Sequence, residues 1–251
     1  MKNLKWIVSF CLIGICVFSS VGQAKTVTLD KTKVLVPQGW STVNSDLKFK
    51  KGTTVELNSN GEVVSGTLNR DIALRPTGWR NMVNDYYEES NNSIFYPRIF
   101  HPFTSVSIPT PTYGHVRYKG DRPITFAADG TVLSGTIDEE VTVSVQKDRY
   151  GLVTFNDQYE LAFYPDGSVR KGRLNDDTML RPNGWQTGLT GDELAGFVEF
   201  KKGSDVTFSQ QGYVTSGVLK KDVSWQLSNG EIIMLKAGQL IYFTDNGPAM
   251  A

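Results

Sequence analysis

The chain has 251 residues, and its 26 Lys and Arg are balanced by 26 Asp and Glu, so the formal net charge at neutral pH is zero. That balance, with the charges scattered along the chain, excludes a protein that holds nucleic acid or an anionic membrane surface by charge alone. The 24 glycines and 10 prolines suit many short strands joined by turns.

Lys2 and Lys5 precede an apolar run from Trp6 to Phe18, and small or polar residues lead on to Gly22-Gln23-Ala24. A charged start, an apolar stretch short of the ~20 residues that span a bilayer, and small residues before a cut site predict a signal peptide over 1–24. Cleavage is expected after Ala24, delivering the chain to an extracytoplasmic place, periplasmic or secreted, with no transmembrane segment left. Cys11 and Cys16 both lie in this leader. The mature chain, 25–251, therefore has no disulfide and must be held by its core.

From residue 25 onward one unit recurs, which predicts a single β-repeat domain. An apolar anchor is followed twelve positions later by a glycine, at Phe49/Gly61, Tyr118/Gly130, Phe155/Gly167, Phe200/Gly212 and Leu235/Gly247. Four copies carry a second glycine five positions further on, at Gly66, Gly135, Gly172 and Gly217. Alternation places Val55/Leu57, Ile124/Phe126, Leu161/Phe163, Val206/Phe208 and Ile241/Phe243 on one strand face. The preceding strand alternates in the same way through Leu47/Phe49, Val116/Tyr118, Val153/Phe155, Val198/Phe200 and Ile233/Leu235.

The third strand of each copy breaks the rule. Val169 and Leu174 are five apart, so a one-residue bulge between them is needed to bring both to the core. The glycine at the same place in all four copies fits either that bulge, at positive φ, or a close backbone contact. Ser65, Ser134 and Ser216 precede it, but Lys171 stands there in the third copy, so the serines read as structural. The fold expected is all-β: an antiparallel meander of five hairpin-type units, with two hairpins per unit, forming an elongated repeat sheet or solenoid. A small five-bladed propeller or a barrel is the alternative.

Turns of the form Pro-x-Gly-Trp punctuate the units, ending at Trp40, Trp79 and Trp185, the last two within Leu-Arg-Pro-x-Gly-Trp. Proline followed by x-Gly is turn chemistry. The tryptophans read first as corner plugs and second as a sugar-stacking series. The connection after each one varies in length, which marks the side where loops emerge. One segment, 80–115, does not repeat. It is rich in aromatics and holds both histidines, and Tyr86, Tyr87, Tyr96, Phe100, His101 and Phe103 are its candidate binding residues.

The segments AFYPDGSVRKGRL, ELNSNGEVVSGTL, TFAADGTVLSGTI and TFSQQGYVTSGVL resemble the MORN repeat. That hairpin carries an aromatic, a turn ending in glycine, a second glycine five on, and a large residue two after that. The frame is also similar to the hairpins of choline-binding and glucan-binding cell-wall repeats. The resemblance implies stacked hairpins. It does not extend to an aromatic choline cage, because Leu68, Ile137, Leu174 and Leu219 stand where those families usually place an aromatic.

Among Asp85, Glu88, Glu89, His101 and His115 no metal-site spacing occurs, and no cofactor or metal is expected. Glu139-Glu140 and Asp176-Asp177 fall in turns, and no nucleophile elbow or phosphate-binding loop is present. The function expected is a non-catalytic scaffold or protein-interaction protein, and an enzyme is the less favoured reading. The alternatives are a protein that binds carbohydrate or a cell-envelope polymer and, third, an enzyme on a propeller or barrel. The partner is a protein or an envelope polysaccharide, not nucleic acid.

Overall fold

In each unit two pairs of strands alternate. The computed structural model describes residues 25–41, 47–79, 114–145, 152–189 and 196–249. After β1 (Lys25–Thr28) the first unit has a pair, β2 (Lys33–Val34) with β3 (Lys48–Phe49), then a hairpin, β4 (Thr54–Leu57) with β5 (Val63–Thr67). The second unit repeats this as β6 (Ile72–Leu74) with β7 (Val116–Tyr118), then β8 (Pro123–Phe126) with β9 (Val132–Thr136). The third has β10 (Val141–Ser144) with β11 (Leu152–Phe155), then β12 (Glu160–Phe163) with β13 (Val169–Arg173). The fourth has β14 (Thr178–Leu180) with β15 (Val198–Phe200), then β16 (Asp205–Phe208) with β17 (Val214–Val218). The fifth has β18 (Val223–Gln226) with β19 (Ile232–Leu235), then β20 (Leu240–Thr244) with β21 (Gly247–Pro248).

All the hairpins join one antiparallel sheet of 11 strands, in the order β1-β4-β5-β8-β9-β12-β13-β16-β17-β20-β21. The sheet begins at β1 and ends at β21 without closing, so the molecule is an open repeat sheet and neither a propeller nor a barrel. Among the described residues no helix is long and apolar enough to cross a membrane.

The other five pairs form a second layer. Each of the first four is tied to the sheet where the hairpin's second strand runs past its end, through bridges Phe49↔Leu68, Tyr118↔Ile137, Phe155↔Leu174 and Phe200↔Leu219. Between the layers lies the core. Val55, Val63, Ile124, Phe126, Leu161, Phe163, Val206 and Phe208 come from the sheet, and the anchors Phe49, Tyr118, Phe155 and Phe200 from the pairs, all of them buried. Anchor rings also meet the next unit edge-on, Phe49 with Phe126 at 6.5 Å, Phe155 with Phe208 at 6.4 Å and Phe200 with Phe243 at 6.2 Å. No unit completes its own core, which is the physical reason such repeats stack.

The bulge is present in all four copies. In the third, Ala162 pairs with Lys171 and Phe163 with Val169, so Arg170 is the extra residue and both Val169 and Leu174 are buried. The same register shift occurs at Glu56/Leu57, Thr125/Phe126 and Thr207/Phe208. Gly172 lies two residues past the bulge and does not have a positive φ. It is glycine because of a close contact: a Cβ there would lie 2.3 Å from Phe155 Cδ1. Gly66, Gly135 and Gly217 carry Phe49, Tyr118 and Phe200 in the same way, with distances of 2.7, 2.7 and 2.6 Å. Positive φ belongs instead to the hairpin-turn glycines, from 79° at Gly61 to 98° at Gly247. Each of the four anchor rings thus packs directly on its unit's second glycine, and the first glycine makes the turn between them.

Candidate functional site

The second-layer pairs are connected by residues 35–47, 75–115, 145–151, 181–197 and 227–231. The three longest of these begin with Pro-x-Gly-Trp, and the two shortest lack it. Variable connections therefore do emerge at this repeated position, and the motif marks the long ones.

Each such turn is fixed to the sheet. Pro37, Pro76 and Pro182 make parallel bridges to Val63, Val132 and Val214. The tryptophan N–H donates back to the proline carbonyl, at 3.1, 3.0 and 3.2 Å. The intervening glycines have φ of 77°, 74° and 71°, which favours glycine strongly. They are also wedged against the hairpin turn of a following unit. A Cβ on Gly78 would lie 2.2 Å from Gly167 O, and one on Gly184 would lie 2.3 Å from Gly247 N.

The tryptophans are half-buried plugs. Trp40 donates its indole N–H to Gly130 O at 2.7 Å. Arg75 Cζ lies over the Trp79 ring, 4.6 Å from its centroid, and Arg181 Cζ lies over the Trp185 ring at 4.8 Å. Gly114 and Gly196, where the chain returns to β7 and β15, abut the same rings: a Cβ would meet Trp79 Cε3 at 2.7 Å and Trp185 Cε3 at 2.1 Å. An arginine, an indole and a glycine thus clasp the base of each of these two connections. Gly114 and Gly196, the first described residues after 80–113 and 190–195, are each held against one indole. Tyr86, Tyr87, Tyr96, Phe100, His101 and Phe103 lie outside the described residues.

Between the first two of these turns and the hairpin turn at 129–131 there is a cleft of about 600 Å³. Trp40, Arg75, Trp79, His115, Asp129 and Thr131 are among the residues that line it. Trp40 and Trp79 are brought together here, whereas Trp185 belongs to the fourth unit and takes no part. Asp129 Oδ1 accepts from the Thr131 N–H at 3.0 Å and from its hydroxyl at 2.6 Å. Thr131 Oγ1 is also 2.8 Å from the Thr77 hydroxyl. His115 Nδ1 is buried with no hydrogen-bond partner among the described residues. Among those residues no carboxylate pairs with Arg75, whose side chain is exposed apart from its indole contact. Sequence reasoning did not single out Arg75, Asp129 or Thr131. The repeated Leu-Arg-Pro-x-Gly-Trp was a signal for the first, but nothing local announces that the hairpin turn of the same unit comes to line one cleft with it and with Trp40 of the unit before.

The carboxylates elsewhere hold turns. Asp177 is kept below the ordinary range first by the Lys202 backbone N–H that it accepts at 2.8 Å, and then by Lys220 at 2.7 Å. Asp222 is lowered likewise by the Ala237 N–H and Lys236. Asp138 is lowered against the cost of its partial burial, by Lys119, Arg117 and Gln158. Among the described residues no group of three or more His, Cys, Asp or Glu is placed to hold a metal ion. Compared with known proteins, the chain matches no family description, no curated protein and no solved structure.

Proposed function

We propose that this chain is an exported, non-catalytic binding protein of the cell envelope or its surroundings, in which a rigid repeat sheet presents long connections to a partner. The observation that carries this reading is the clasp. Long connections are closed by Pro-x-Gly-Trp, so their length varies while the core beneath stays the same. A connection closed at its base costs the fold mainly loop-closure entropy, which grows slowly with length, and such sites are where recognition segments accumulate. The leader pattern over 1–24 supports export, and the likeness to MORN hairpins supports a scaffold.

A variant lacking residues 91–108 tests the reading. Crosslinking in intact cells followed by mass spectrometry is expected to recover a specific partner with the full chain and to lose it with the variant, while the melting temperature stays within a few degrees. Equal recovery by both overturns the role of the insertion. An intact Met1 on protein isolated from cells overturns export. A second reading, binding of an envelope polysaccharide, is favoured by the cleft between Trp40 and Trp79.

A further inference from the structure

The cleft gathers polar groups that keep hydrogen-bonding capacity beyond their structural roles. The planar fork of a guanidinium takes a carboxylate through two parallel hydrogen bonds. Arg75 Cζ lies over the Trp79 ring, 4.6 Å from its centroid, and no carboxylate among the described residues pairs with it. Arg173 has a comparable cation–π contact over Tyr159, at 3.8 Å, but Asp205 already satisfies it at 2.7 Å. His115 also lines the cleft, and its buried Nδ1 has no hydrogen-bond partner among the described residues. Across the cleft Asp129 has one oxygen held by Thr131 and the other without a hydrogen bond among the described residues. That oxygen is an acceptor for hydroxyl groups.

A cation, a carboxylate acceptor and half-buried indoles lining one cleft suit a ligand that is at once acidic, hydroxylated and ring-shaped. A simple anion would use the arginine but would be repelled by Asp129. A neutral sugar would leave the guanidinium without a charged partner. The volume, about 600 Å³, lies in the range of small-ligand pockets.

We propose that the cleft between Trp40 and Trp79 binds an acidic saccharide, with Arg75 taking the sugar carboxylate, Asp129 taking ring hydroxyls and the exposed parts of the two indoles flanking the ring. This rests on the polysaccharide reading above and narrows it to a carboxylate-bearing sugar at one site.

The test is titration of the purified protein with glucuronate and galacturonate oligosaccharides and with their neutral glucose and galactose counterparts, read by calorimetry and by the indole N–H resonances. The acidic oligosaccharides are expected to bind at least tenfold more tightly than the neutral ones, shifting the Trp40 and Trp79 signals and not those of Trp185 and Trp225. Arg75→Gln is expected to remove that preference, at roughly tenfold or more for a charged hydrogen-bonded pair. Arg75→Lys, which keeps the charge and loses the fork, is expected to fall between and guards against a folding defect. Equal affinity for acidic and neutral sugars overturns the carboxylate while leaving the polysaccharide reading standing. Silence toward every sugar overturns both. Equally tight binding of a short peptide through its C-terminal carboxylate overturns the saccharide, and acid-selective binding that survives Arg75→Gln overturns the site.

Discussion

The five sheet hairpins and the five second-layer connections alternate along one chain yet follow different rules. In four of the hairpins an anchor ring, a turn glycine and a second glycine keep fixed spacing, because the ring lies on the second glycine with no room for a Cβ. The connections run from the short 227–231 to the long 75–115, and what stays constant is only the Pro-x-Gly-Trp base of the long ones. Constraint in this molecule follows close backbone contact. Where the contact is confined to a clasp, the chain beyond it is free to diversify, and that is where binding is proposed.

The sharpest way to break this comparison is at a hairpin. Gly172→Val puts a branched side chain into the Phe155 ring and is expected to cost about 3 kcal/mol in a denaturant titration, at the upper end for overpacking a core. Arg170→Val, at the exposed bulge position, is expected to stay within about 0.5 kcal/mol. Comparable losses at the two positions would remove the steric account of the second glycine.

The clasp gives an intermediate effect. Trp185→Ala is expected to cost about 2 kcal/mol, below the 3–5 kcal/mol typical of a fully buried aromatic because this indole is half-exposed. A melting curve identical to that of the parent protein would show that the connections need no clasp.

The smallest effect has the opposite sign. Tyr118 occupies the place that Phe49, Phe155 and Phe200 fill in the other units, and its hydroxyl is buried with no hydrogen-bond partner among the described residues. Burial pushes that hydroxyl well above its usual range for ionisation. Tyr118→Phe removes a desolvated polar group and is expected to stabilise the protein by about 1 kcal/mol. A loss of stability would mean that the hydroxyl has a partner, and that this unit is not equivalent to its neighbours.

Strand faces were legible because alternation is a property of single strands: Val55, Ile124, Leu161 and Val206 all point to the core as their spacing implied. The bulge was legible too, since Val169 and Leu174 cannot otherwise share a face. The cause of Gly172 was legible only as a choice between two explanations, and the partner that decides it, Phe155, lies on the other layer. Of the candidate site, Trp40 and Trp79 were found from their motif. Arg75 is legible only as part of the repeated Leu-Arg-Pro-x-Gly-Trp, with no role attached, and Asp129 and Thr131 enter from a turn whose sequence reads as an ordinary hairpin.

By itself the sequence determined the period, the all-β class, the two strand pairs per unit and the turn glycines, because these depend on dihedral preferences and on side chains within a few residues of one another. Tertiary structure alone decided that the sheet stays open and that Phe49, Phe155 and Phe200 pack on rings of the next unit. It alone decided that the first two tryptophan turns enclose a cleft with the hairpin turn of the second unit. Those outcomes depend on how one unit twists and slides against the next, and that geometry is set by packing across units, which no spacing within a unit records.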